Sequence, residues 1–150
     1  MIKITKASPN DLPVLASLFD RYRIFYKEKS DIKTAMAFLS GRIANNDAQL
    51  FVCWNSTGMI VGFMQLYPLF SSTAMKKLWL LNDLFVHEDF RGMGYSMALI
   101  DKAKALCSET GAHGIILETA KDNTAGNRLY PKMGFMRDTA HNYYSWKIGQ

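Results

Sequence analysis

Polar and apolar residues alternate from Met1 through Ala7, beginning Met1-Ile2-Lys3-Ile4-Thr5, and this predicts an opening strand. Ser8-Pro9-Asn10-Asp11 then combines a Ser cap, a proline at the first helical position and an acid three residues after the cap. Leu12, Leu15, Phe19, Tyr22 and Tyr26 follow at helical spacing, predicting a helix to residue 27. Ser30 is expected to cap a second helix with the stripe Ile32, Met36, Leu39 and Ile43, which Asn45-Asn46-Asp47 ends. Residues 49–54, 59–67 and 77–86 read as strands, the first two joined by a hairpin turn at Ser56-Thr57-Gly58. The third is apolar on both faces apart from Asn82-Asp83 in its middle, the pattern of a central strand covered on both sides.

Beyond it lie a glycine-bearing turn at 91–96, a helix from Met97 to Thr110 that Gly111 ends, and a short buried strand at 115–119. A short helix over 124–133 closes at Gly134, and 135–138 with 141–148 are expected to form a final hairpin. The order is βααβββαβαββ, a mixed sheet flanked by helices.

Composition narrows this picture without redirecting it. Of the 150 residues, 49% are apolar and 21% charged, the balance of one folded domain and not of a disordered or coiled-coil chain. The 18 basic and 13 acidic residues leave a net charge of +5, spread without a basic run, so a nucleic-acid-coating surface is not required. No stretch of 18 apolar residues occurs and no signal peptide is read at the start, so neither a membrane span nor export is expected. Cys53 and Cys107 lack CxxC spacing and sit among apolar residues, which reads as reduced core thiols in a cytosolic protein.

The richest chemical signal is strand, then Arg91-Gly92-Met93-Gly94-Tyr95-Ser96, then helix. Glycines admit close approach of the backbone to a ligand, and the following helix offers unpaired N–H groups and its positive dipole end, together an anion cradle suited to a pyrophosphate. A tight strand-to-helix turn also wants glycine for geometry alone. Gly94-Tyr95-Ser96-Met97-Ala98 lies near a hydrolase nucleophile elbow, but its last glycine is Ala and no acid-then-His pair follows. His87, His113 and His141 have no metal-ligand spacing, and no phosphate-binding Gly-x4-Gly-Lys sequence occurs.

Phe85-Val86-His87-Glu88-Asp89-Phe90-Arg91-Gly92-Met93-Gly94 resembles motif A of the GCN5-related N-acetyltransferase (GNAT) family. Asn123-Thr124-Ala125-Gly126-Asn127-Arg128-Leu129-Tyr130-Pro131-Lys132-Met133-Gly134-Phe135 is similar to that family's later motif. The resemblance implies an α/β (α+β) fold: a mixed, mostly antiparallel sheet, its fourth and fifth strands splayed, flanked by about four helices in one domain over 1–150. It implies acetyl-coenzyme A as acyl donor, with the pantetheine arm along Leu84, Phe85 and Val86. The pyrophosphate would lie on the amides of Arg91, Gly92, Met93, Gly94, Tyr95, Ser96 and Met97, Asn123 would contact the donor from the far side, and Tyr130 would protonate the departing thiolate. Ser96 stands where the motif has Gly or Ala, and Pro131 directly follows Tyr130, removing a helix amide.

A thioester attacked by an amine develops an oxyanion that needs a preplaced donor, and the thiolate leaves more easily beside a phenol. The amine must arrive neutral. A buried acid requires a partner, so Asp83 needs a backbone amide or Arg in a structural role, or a substrate ammonium in a functional one. The segment 81–86 is similar to the matching strand of spermidine/spermine acetyltransferases, although Asn82 replaces the first of their two acids. On that resemblance Asp83 is catalytic, Asn82 adjoins the substrate, and Phe25, Tyr26, Glu28, Asp31 and Tyr67 line the acceptor groove. The small polyamine- and histone-acetylating branch is the nearest, implying a primary amine on a polyamine or a lysine side chain, direct attack in a ternary complex, and a homodimer. A coenzyme A-binding regulatory module with weak catalysis is the alternative.

Overall fold

The computed structural model describes residues 1–150. Two compact units divide it, Met1–Glu118 and Thr119–Gln150.

In the first unit, strand β1 (Lys3–Lys6) leads through a 3-10 turn over Pro9–Asp11 into α1 (Leu12–Phe25). The turn is the predicted capping box: the Asp11 carboxylate accepts from the Ser8 amide at 2.8 Å and from its hydroxyl at 3.0 Å. Helix α2 (Ile32–Asn45) starts one residue later than the Ser30 cap implies. Asp31 is the cap, accepting from the Thr34 amide at 3.1 Å, while the Ser30 hydroxyl donates to Asp20 at 2.7 Å. Asp20 is buried and also accepts from the Asp31 amide, so one carboxylate ties the α1–α2 connection to α1. Asn46 ends α2 in the left-handed conformation.

Strands β2 (Gln49–Trp54), β3 (Ile60–Ser71) and β4 (Lys76–Val86) form an antiparallel meander, and β5 (Ile115–Ile116) joins β4 in parallel, giving the order β1-β2-β3-β4-β5. β3 runs four residues beyond the expected end at Tyr67, through Pro68. Pro68 faces Trp79, whose amide donates to Gly114 on the other side of β4, so the pair exchanges no bond. The nitrogen of Pro68 points to the edge of β3, which β2 no longer covers beyond Leu66, and no ladder bond is lost.

Leu50, Val52, Phe63 and Phe85 turn one sheet face toward Leu15, Phe19, Ala35 and Leu39 of α1 and α2, and this is the main core. α3 (Tyr95–Glu109) lies on the sheet's other face, where its Lys102 reaches over the Phe51 ring and Leu99, Ile100 and Ala103 are buried. At Gly62 two strands approach closely: a Cβ there would meet the Phe85 carbonyl at 2.7 Å and Cys53 Sγ at 2.9 Å.

In the second unit, α4 (Thr124–Lys132) is capped by Asn123, whose side chain accepts from the Gly126 amide at 3.2 Å. Pro131 sits in its last turn and the helix continues to Lys132. Two expectations are corrected. The strand at 115–119 is only Ile115–Ile116, and Ile116 is 46% exposed, because β5 is an edge strand paired at just two positions. The hairpin over 135–138 and 141–148 does not form. Residues 136–150 are exposed throughout, and alternation specifies a strand only where one face is buried. Asp138 instead closes a local turn, accepting from the Ala140 and His141 amides.

Candidate active site

β4 carries the site, and its irregularity begins at Asn82. Gln65 pairs with Asp83 and Leu66 with Leu81, so Asn82 has no partner on β3 and forms a bulge. Exposed Asn82 is thereby set apart from Asp83, which is buried at 5% exposure. The Tyr22 hydroxyl of α1 donates to the Asn82 carbonyl at 3.3 Å.

The β4–β5 ladder covers only Trp79 and Leu80, so Leu81–Val86 run on without a β5 partner. The His87 amide donates to the Val61 carbonyl at 2.9 Å. By alternation Phe85 and Asp83 also face β3, and Leu84 and Val86 aim their backbone groups toward the open side. There the Val86 carbonyl accepts from Arg91 Nε at 3.0 Å, and the Arg91 guanidinium lies over the rings of Phe85 and Phe25.

Gly92 (φ 76°) and Gly94 (φ 86°) occupy the left-handed region at the turn into α3. Gly94 is the helix N-cap and brings no side-chain cap bond; the first helical bond runs from Ala98 to Gly94. The amides of Tyr95, Ser96 and Met97 therefore precede the helical ladder and present donors at the positive end of the dipole. Met93 is exposed beside them. Arg21 of α1 pairs with Glu88, tying this loop to the helix whose end carries Phe25 and Tyr26.

The Asp83 carboxylate accepts from Gln65 Nε2 at 2.8 Å and from Asn82 Nδ2 at 3.1 Å, and it takes part in none of the ion pairs. Gln65 is fully buried and its Oε1 has no hydrogen-bond partner. An unmade bond at a buried acceptor costs about 1–3 kcal/mol. Gln65 escaped the sequence reading, although a lone glutamine among buried apolar residues of a central strand is itself a signal.

Burial first, and the Asp83 charge second, push the half-buried Tyr67 phenol up to about 12. Folded Tyr67 holds its proton more tightly than the unfolded chain, so stability present below pH about 10 is lost as pH rises toward 12. Tyr67→Phe is expected to flatten the fall in melting temperature over that window. An unchanged slope would contradict the burial of the phenol beside Asp83.

The remaining sequence candidates are distributed. Phe25 and Tyr26 are exposed and stacked edge to face at the end of α1. Glu28 lies 3.9 Å from Arg23, and Asp31 is engaged as the α2 cap, which holds its carboxyl below the usual range. In the second unit, Asn123 caps α4 and donates to Thr119 at 2.9 Å, while half-buried Tyr130 meets Phe135 edge to face.

A mixed sheet whose fourth strand parts from its fifth, followed by a glycine turn at a helix N-terminus, is the arrangement that the resemblance to the acetyltransferase family implied. The family model of the acetyltransferase (GNAT) family matches residues 14–135, and the chain belongs to that family. It is 36% identical over 147 residues to an uncharacterized N-acetyltransferase, YhfO, of Bacillus subtilis, covering 98% of both chains. It is 30% identical over 136 residues to a "probable acetyltransferase" of Haemophilus influenzae, covering 87% of this chain and 93% of the other. A crystal structure of a "probable acetyltransferase" superposes with a TM-score of 0.92 at 32% identity, covering 99% of both. The chain is an N-acetyltransferase, and acetyl-coenzyme A is the co-substrate of its family. No helix is long and apolar enough to cross a membrane.

Proposed function

We propose that this enzyme acetylates a primary amine, on a small polyamine-like molecule or a lysine side chain, by direct attack in a ternary complex. One observation carries the acceptor: Asp83 is a buried carboxylate held by two amides and no cation. A buried anion of this kind is costly unless a cation reaches it, and a substrate ammonium is that cation. Asp83 then orients the amine and helps remove its proton as nitrogen attacks the thioester carbon. Asn82 borders the amine on the exposed side of the bulge, Phe25, Tyr26 and Tyr67 flank its alkyl part, and Glu28 and Asp31 add negative charge near the end of α1.

The donor side uses the open edge of Leu84 and Val86, either side of Phe85, for the pantetheine amides and the amides from Gly92 to Met97 for the pyrophosphate, since the Arg91 amide already donates to the Glu88 carbonyl. The family resemblance adds Asn123 as a donor contact. Tyr130 donates its phenolic proton to the thiolate as the carbon–sulfur bond breaks. Holding both reactants in one site supplies much of the acceleration through proximity. A cytosolic homodimer completes the proposal, supported by the exposed Tyr143, Tyr144, Trp146 and Ile148, and sedimentation tests it.

Coenzyme A thiol release from acetyl-coenzyme A, measured against spermidine, free lysine, kanamycin and a lysine-bearing peptide, tests the reaction. Release with any of them is the expected result, and the preferred amine separates a small cation from a protein chain. Silence across the panel, with acetyl-coenzyme A still raising the melting temperature, would favour a coenzyme A-binding regulatory module.

A further inference from the structure

Gln65 lies between Met64 and Leu66 in the middle of β3, and all three side chains are fully buried. Across the ladder its partner is Asp83, and Nε2 donates to Asp83 Oδ2 at 2.8 Å. The other carboxylate oxygen accepts from Asn82 at 3.1 Å. An ionised carboxylate only accepts, so the carboxamide must turn its nitrogen toward Asp83. That turn leaves Oε1 without a partner. The charge on Asp83 thus decides how Gln65 points, at the expense of the glutamine's own oxygen.

Other side chains at this position would change what Asp83 can do. An apolar residue matching Met64 and Leu66 would leave Oδ2 without its donor. A lysine or arginine would neutralise the carboxylate and remove its pull on a substrate cation, and a glutamate would repel it. Glutamine is neutral, reaches across the ladder and donates. It holds the anion in one orientation without cancelling its charge.

We infer that Gln65 is a positioning residue for acetyl transfer: its Nε2 fixes the Asp83 carboxylate while leaving the charge uncompensated for the incoming ammonium. The inference rests on Asp83 being the group that meets the amine. Gln65 touches neither reactant in this scheme and acts through Asp83. Its removal lets the carboxylate rotate, so the amine settles in poses that are not aligned for attack, and misplacement of about 1 Å is enough to slow a reaction about a hundredfold. Donor binding, on the open edge of β4 and the glycine turn, is left as it was.

The test uses Gln65→Met, similar in volume without a polar group, and Gln65→Glu, similar in shape with a second negative charge. Asp83→Asn and the double variant Gln65→Met/Asp83→Asn complete the set. Each is assayed with acetyl-coenzyme A and whichever amine of the panel the parent uses best. Gln65→Met is expected to lower kcat/KM for the amine about tenfold to a hundredfold, with KM for acetyl-coenzyme A within about twofold and the donor-induced rise in melting temperature retained. The double variant is expected to be no slower than Asp83→Asn, because both changes remove one device.

Should Gln65→Met not fold, Gln65→Glu gives the same readout, with kcat/KM for the amine again reduced and donor affinity kept. Parental kcat/KM in the Gln65 variants beside a slow Asp83→Asn overturns the role of Gln65 alone, as does a lowered melting temperature with unchanged kinetics. Losses that multiply in the double variant overturn it too. An Asp83→Asn enzyme as fast as the parent, or a parent silent on every amine, overturns the reading of Asp83 and this inference with it.

Discussion

Tyr130→Phe is expected to lower kcat about a hundredfold while affinity for acetyl-coenzyme A stays within about twofold of the parent. The substitution removes one oxygen from a half-buried ring that meets Phe135 edge to face, and it leaves the helix anchors in place. Those anchors are local. Asn123 caps the helix, Asn127 donates to the carbonyls of Ala120 and Asn123, and Gly126 leaves room against Asn123, where a Cβ would approach Nδ2 to 2.6 Å. Pro131 does not interrupt α4, so the phenol is presented from a continuous helical turn. In the proposed scheme the thiolate then departs without its proton source, a loss in the range of about a hundredfold to ten-thousandfold for general acids. Steady-state kinetics, paired with the melting-temperature rise caused by acetyl-coenzyme A, separate loss of chemistry from loss of binding. An unchanged kcat would remove Tyr130 from the mechanism and turn attention to water as the proton source.

Phe63→Ala is the corresponding prediction for stability, with an expected loss of about 3–5 kcal/mol. Phe63 is fully buried, and its ring contacts Phe19 and Tyr22 of α1 and Phe85 of β4. Alanine therefore opens a cavity where helix and sheet meet, with aromatic walls that cannot collapse onto it without moving α1. For a chain of this length each kcal/mol corresponds to about 2–4 °C, so the melting temperature should fall by roughly 6–20 °C. Calorimetry reads this directly. A change below about 2 °C would mean that the α1–sheet core is not a single packed unit. Because Phe85 lies in β4 between Leu84 and Val86, the proposed donor edge, donor binding is expected to weaken in the same variant.

The elements of the first unit were legible because each buries a face that leaves a period in the sequence. Leu15 and Phe19 mark α1, Leu39 marks α2, and Leu50 and Val52 mark β2, and all of them enter the observed core. The glycine turn was legible for another reason: Gly92 and Gly94 adopt positive φ, a conformation that other L residues rarely take. The 141–148 alternation misled because nothing in the sequence says whether a face exists to cover it, and in the structure those side chains are exposed. Asp31 was read only as a charge for the proposed acceptor groove; its capping role depends on where α2 starts, and Ser30 and Asp31 compete for that start within one residue.

The sequence alone determined the periodic elements, the glycine turn at the head of α3, and the anomaly of an acid in an apolar strand. Those are local properties, set by the spacing of apolar side chains and by the backbone freedom of single residues. Only the tertiary structure decided that Asn82 bulges out while Asp83 turns in, and that the β4 edge opens after Leu80. It also set Gln65 opposite Asp83 and put Tyr67 within reach of that charge. Register across β3 and β4 pairs residues 18 positions apart, and a shift of one residue would turn every one of these side chains to the other face.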